Sequence, residues 1–118
     1  MTSKEKGNIA VGRCIKYATS MGMTVSLPIN DAQDYDLIID NHEQLLKIQV
    51  KYITGNTVDT RVRGHQTKEG KYYVKDNVSA PDYYFITTGE LKDYLIPYSR
   101  VKEKTTFTLN KDYDDLVV

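Results

Sequence analysis

From Leu45 to Ile53 the side chains alternate, with Leu46, Ile48 and Val50 set against Lys47, Gln49 and Lys51. A period of two belongs to a strand with one face on a core, and an α-helix cannot satisfy it. A second extended run, Tyr35 to Asp40, precedes it, with only the polar turn Asn41-His42-Glu43-Gln44 between. Two such runs with a short polar connection predict an antiparallel hairpin. The rest of the chain has to pack around that hairpin.

Gly7 to Met21 reads as an amphipathic helix, because Ile9, Val11, Cys14, Ile15, Ala18 and Met21 recur near 3.6-residue spacing. Gly22 follows as its C-terminal stop. Thr24 to Leu27 begins an extended segment closed by Pro28. Beyond the hairpin, Val58–Val62, Tyr72–Val74, Asp82–Thr87, Tyr94–Tyr98 and Thr105–Leu109 are strand candidates, with Thr88-Gly89-Glu90 as a turn. One helix followed mostly by strands gives the class α+β.

The chain has 118 residues, which suits a single domain spanning 1–118 with an acidic tail over 110–118. No apolar run approaches the ~20 residues of a membrane span, and the N-terminus leads into no signal-peptide core. A single cysteine, Cys14, excludes an intrachain disulfide and a cysteine-built zinc site. These features predict a cytoplasmic protein with no membrane partner. Net charge is zero, but Arg61, Arg63, His65, Lys68, Lys71 and Lys75 gather on one segment. Such a stretch can follow a phosphate backbone, although charge alone favours a solvated loop.

The sequence holds no Gly-rich phosphate loop, no Cys/His metal cluster and no obvious Ser-His-Asp set. What remains is Asp36 on the first hairpin strand with Gln49 and Lys51 on the second. Residues two apart on a strand leave the same face, and the hairpin brings Asp36 alongside. A carboxylate, an amide oxygen and an ammonium then meet on one face. Hydrolysis of a phosphodiester can use those parts: a hard divalent cation such as Mg2+ takes oxygen ligands, and a lysine adds positive charge where negative charge builds. The Val50 carbonyl, between the two polar side chains, is a further candidate ligand. On spacing alone, the surface reading of an alternating strand stays open. His42 and His65 read as surface histidines, and Cys14 reads as core.

Lys6-Gly7, a helix ending at Gly22, a strand with Pro28, then Tyr35-Asp36-Leu37-Ile38 and Ile48-Gln49-Val50-Lys51 together resemble the core of the PD-(D/E)XK nucleases. The order of elements is similar to that of Holliday junction resolvases. Gln49-Val50-Lys51-Tyr52, Asp82-Tyr83-Tyr84-Phe85 and Tyr94-Leu95-Ile96-Pro97 resemble more closely the branch encoded in bacterial group I introns. The resemblance covers about residues 6–109. It implies a mixed central sheet flanked by helices, with a second core helix that no helical period over residues 54–80 supports. It also implies a metal-dependent, site-specific homing-type endonuclease acting on double-stranded DNA. In that reading Asp36 and Gln49 face the Mg2+ and Lys51 faces the nucleophile.

One position departs from the pattern. Four residues after Lys-Gly this superfamily often carries a helix glutamate that reaches the site, and here that position is Val11. The implied site then has one formal carboxylate. Three outcomes stay open: DNA phosphate completes the site, Glu5 or Asp34 substitutes, or catalysis is impaired. A domain of this size spans about ten base pairs at ~3.4 Å each, so a long site cut on both strands implies a homodimer or a higher assembly such as a tetramer. The alternatives are a junction resolvase and a catalytically silent DNA- or protein-binding module on the same fold.

Overall fold

The structure is a computed structural model describing residues 1–30, 34–60, 63–66, 72–74 and 80–118, with backbone only for 63–66 and 72–74. Helix α1 runs Ser3–Ser20. It begins four residues earlier than the apolar period predicts, because Thr2 caps it: the Thr2 hydroxyl accepts the Glu5 N–H at 3.1 Å and donates to the Glu5 carboxylate at 3.1 Å. That is a Thr-x-x-Glu capping pair, which satisfies donors a helix start leaves open. At the other end Gly22 adopts φ +78°, which a Cβ would disfavour. Met21, expected on the apolar face, is exposed. The buried stripe is Ala10, Cys14 and Ala18, small residues that let the helix sit close on the sheet.

The strands are β1 (Thr24–Ser26), β2 (Leu37–Asp40), β3 (Leu45–Ile53), β4 (Thr57–Asp59), β5 (Arg63–Gln66), β6 (Tyr72–Val74), β7 (Tyr83–Thr88), β8 (Asp93–Pro97) and β9 (Thr106–Thr108). Five of them form one sheet in the order β1-β2-β3-β7-β8. The β2–β3 pair is antiparallel, with Leu37 opposite Ile48. The β3–β7 pair is parallel, with Gln49 opposite Tyr84 and Lys51 opposite Ile86. The sheet is therefore mixed, and the chain from 54 to 82 is the crossover that parallel pairing requires.

Alternation sorts the sheet's two faces. Leu46, Ile48 and Val50 join Leu37, Ile39 and Phe85 in a cluster under α1. Ile53 instead packs into a second cluster with Val58, Tyr84, Ile86, Ile96 and Phe107. A two-stranded sheet, β4 with β9, contributes Val58 and Phe107 to that second face. Among the described residues the other α-helix is the single turn α2 (Tyr98–Val101), while much of the stretch 54–80, where a second core helix is sought, falls outside them. The acidic tail is part of the fold: Lys111–Leu116 forms a 3-10 helix that buries Tyr113, and the Val118 N–H donates to the Asp93 carbonyl at 3.0 Å.

Candidate active site

Asp36 stands one residue before β2, where its main-chain N–H still donates to the Ile48 carbonyl at 2.9 Å. Its side chain turns to β3. Asp36 Oδ2 accepts the Val50 N–H at 2.7 Å and Gln49 Nε2 at 3.0 Å. In a strand the N–H and C=O of one residue point to the same side. The Val50 carbonyl therefore points to the β2 side of the sheet, past the last β2–β3 pair at Leu37 and Ile48. Asp36, Gln49 and Val50 thus meet at the point where the sheet opens. Gln49 donates one amide hydrogen to Asp36 Oδ2, so its oxygen Oε1 and Asp36 Oδ1 lie outside these two bonds.

Lys51 is half-buried on the same face as Gln49, the face away from α1. Burial lowers its pKa from the ordinary 10.5, against an opposing pull from Asp59 and then Asp36. Burial likewise raises the Asp36 pKa, opposed by the Val50 N–H and by Lys51. Each group is thus held where its charged form is poorly solvated, and each gains from a partner of opposite charge. Asp59, on β4, was not foreseen from sequence. Its approach to Lys51 depends on how β4 folds over the sheet, which no local pattern announces.

Val11 is half-buried and packs against the cluster under α1. The next residue of that helix face, Cys14, is fully buried, and its thiol is pushed up to about 12 by burial first and then by the fields of Asp93 and Asp36. Glu5 is exposed and engaged with its cap, Thr2. Asp34 is half-buried. Of the basic segment, Arg63 and His65 lie in β5. Arg61, Lys68, Lys71 and Lys75 fall outside the described residues.

Oxygen donors alone converge here, and among the described residues no group of three or more His, Cys, Asp or Glu side chains could hold a metal ion. With one carboxylate and two neutral oxygens, Asp36, Gln49 and the Val50 carbonyl offer the donor type of a hard divalent cation, which takes one or two carboxylates with neutral oxygens and water.

The chain belongs to the PD-(D/E)XK endonuclease family, whose model matches residues 1–113. Its fold is similar to that of I-Ssp6803I, a bacterial homing endonuclease, with 28% identity and a TM-score of 0.75 over 94% of this chain and 80% of that one. It is also similar to Hjc, a Holliday junction resolvase from Archaeoglobus fulgidus, at 12% identity and a TM-score of 0.63, covering 96% of this chain and 90% of that one. The second likeness concerns the fold alone. No curated protein sequence matches the chain significantly.

Proposed function

We propose that this chain is a divalent-cation-dependent, site-specific endonuclease that hydrolyses phosphodiester bonds in double-stranded DNA. The observation that carries the reading is the meeting of Asp36, Gln49 and Val50 at the sheet's opening, with Lys51 alongside. Asp36 Oδ1, Gln49 Oε1 and the Val50 carbonyl are the atoms that would hold Mg2+. When bound, the cation neutralises phosphate charge and acidifies water. Gln49 orients the Asp36 carboxylate through its Nε2, and the Val50 N–H holds the same oxygen from the main chain. Lys51, with its lowered pKa, reaches the neutral amine more readily than a solvated lysine and in that form takes the proton that the attacking water gives up. A single carboxylate implies weak binding of the cation until DNA phosphate joins it.

The domain's longest extent is 46 Å, about 13 base pairs at ~3.4 Å each. Cutting both strands of a longer site therefore calls for two copies related by a two-fold axis. The similarity to a homing endonuclease supports site-specific cutting. A junction resolvase is the runner-up.

The test is cleavage of a randomised linear duplex library, with a four-way junction in parallel, in Mg2+ or in EDTA. The reading expects Mg2+-dependent cutting at recurrent sequences in the linear library, lost in Asp36→Asn. Cutting of the junction alone would favour the resolvase. Absence of cutting on either substrate, with folded protein, would overturn the nuclease reading and leave a silent binding module.

A further inference from the structure

Beyond the hairpin, the carboxyl ends of the parallel strands β3 and β7 run into two polar turns, Thr54-Gly55-Asn56 and Thr88-Gly89-Glu90. Between them lies an open cleft of about 370 Å³, lined by Thr54, Asn56, Thr88, Glu90 and Lys92 among others. Its wall includes Tyr94 and Leu109. Both belong to the cluster on the face away from α1, the face that carries Gln49 and Lys51. The cleft therefore lies on the same side of the sheet as the candidate active site, beyond the end of β3. Thr54 is three residues past Lys51, or roughly 10 Å at ~3.3 Å per residue.

The turns are fixed in place. Gly89 backs onto the Thr54 main chain, where even a Cβ would sit 3.8 Å from the Thr54 Cα. Thr88 brackets Lys92 twice: its N–H donates to the Lys92 carbonyl at 2.9 Å, and its hydroxyl accepts the Lys92 N–H at 3.1 Å. Leu91 is held at φ +61°, a conformation that costs a non-glycine residue about 1 kcal/mol or more. Arg13 clamps it by donating from Nη2 to the Leu91 carbonyl at 2.9 Å. Lys92 rises from this clamped turn, with Nζ 5.4 Å from the centre of the Tyr94 ring. An ammonium set over an aromatic wall beside hydroxyl and amide donors is ready to meet an anion without much further ordering.

We infer that this cleft seats a backbone phosphate of the bound DNA close to the scissile one, with Lys92 as its cation and Thr54, Asn56 and Thr88 as hydrogen-bond partners. The ~10 Å offset along β3 keeps the two phosphates within a few nucleotides of each other. The inference deepens the endonuclease reading and rests on it. Glu90 lines the same cleft and opposes a phosphate. Its carboxylate limits how tightly the cleft holds DNA of any sequence.

The experiment uses duplexes recovered from library cleavage, with binding measured in Ca2+. One non-bridging oxygen is replaced by an uncharged methylphosphonate at each backbone position in turn. In the native protein, substitution at one position within a few nucleotides of the cut should weaken binding about tenfold, the loss expected for one charge-assisted contact. Lys92→Ala should weaken binding to the unmodified duplex by a similar factor, flatten the salt slope by ~0.9, and be insensitive to that methylphosphonate. Lys92→Arg should retain the sensitivity, and Glu90→Gln should tighten binding to all duplexes. Thermal melts of each variant separate misfolding from a lost contact. If Lys92→Ala binds as tightly as the native protein, or loses equally on every modified duplex, the cleft is not a phosphate site even though cutting persists. If the native protein neither binds nor cuts DNA, the endonuclease reading fails and the cleft falls with it.

Discussion

Asp36 and Val50 are joined by a 2.7 Å bond in which a main-chain N–H of β3 donates to a side-chain carboxylate from the end of β2. The carboxylate stands where the next strand residue's carbonyl would stand if the hairpin continued. It therefore ends the pairing of β2 while satisfying the Val50 donor. The Val50 carbonyl, on the same side, is turned toward whatever the opening binds. One residue both terminates a strand and aims a main-chain oxygen.

The first prediction follows from the charge state of that residue. Burial raises the Asp36 pKa above its ordinary 3.8. Between the ordinary and the raised value the folded chain binds more protons than the unfolded one, so this group's contribution to stability is present at lower pH and is lost as pH rises through that window. Lys51 has the opposite sense: with its pKa lowered from 10.5, stability recovers as pH rises from the lowered value toward 10.5. Thermal melts from the carboxylate range to neutrality should show a fall in the native protein that is smaller in Asp36→Asn. Mg2+ should reduce the same fall, because the cation favours the ionised carboxylate. A native profile identical to that of Asp36→Asn, with and without Mg2+, would mean Asp36 is solvated and does not bind metal.

Lys51 separates chemistry from binding. Lys51→Ala should lower the cleavage rate by about 100- to 1,000-fold, the range for removing one group that stabilises transition-state charge. DNA affinity should change little, since Lys51 meets one phosphate among many. Lys51→Arg should fail to restore the rate, because a guanidinium does not release its proton at working pH. Equal losses of binding and cleavage in Lys51→Ala, measured by single-turnover kinetics and titration, would reduce Lys51 to a backbone contact.

How far the sequence could be read depended on how local each signal was. The bounds of β3, Leu45–Ile53, follow from its own alternation, and the hairpin turn then puts Asp36 beside Gln49 without reference to the rest of the chain. The start of α1 was misplaced because Gly7 and Gly12 dilute the apolar period, while the Thr2–Glu5 cap that sets the start is polar. Pairings that span the chain were not legible. Thr57 to Asp59 pairs with Thr106 to Thr108 across about half the molecule, and β7 inserts beside β3 in parallel. The burial of Lys51 and its approach to Asp59 depend on those pairings, so the electrostatics of the site emerge only in the folded chain.

The clasp between α1 and β8 should dominate the stability of this face. Arg13 Nε donates to Asp93 Oδ1 at 2.9 Å and its Nη2 to Oδ2 at 2.7 Å, while the fully buried Thr87 donates its hydroxyl to Oδ1 at 2.7 Å. Asp93→Ala leaves the buried Thr87 hydroxyl without its acceptor and leaves Arg13 its bond to the Leu91 carbonyl, and the expected cost is about 1–3 kcal/mol in a denaturant titration. Arg13→Lys should cost less, since one cation remains without the two-pronged geometry. A loss below ~0.5 kcal/mol for Asp93→Ala would class the pair with ordinary surface ion pairs.

The last prediction concerns position 11, where the resemblance implies a helix glutamate. Val11 packs half-buried on the α1 face of the sheet, three residues before Cys14. Positions three apart share a helix face. The resemblance implies that this position reaches the site beside Asp36. Two carboxylates in that relation repel when the site is empty and attract when a dication lies between them. Val11→Glu should therefore tighten Mg2+ binding and raise the cleavage rate together, while specific DNA affinity without metal stays level or weakens slightly. The competing outcome is purely one of packing: an unpaired carboxylate set against Leu37, Ile48 and Phe85 costs about 1–3 kcal/mol or more. A thermal melt of Val11→Glu with and without Mg2+ separates the two. Destabilisation that Mg2+ relieves puts position 11 at the metal site; destabilisation that Mg2+ leaves untouched confines it to the core under α1.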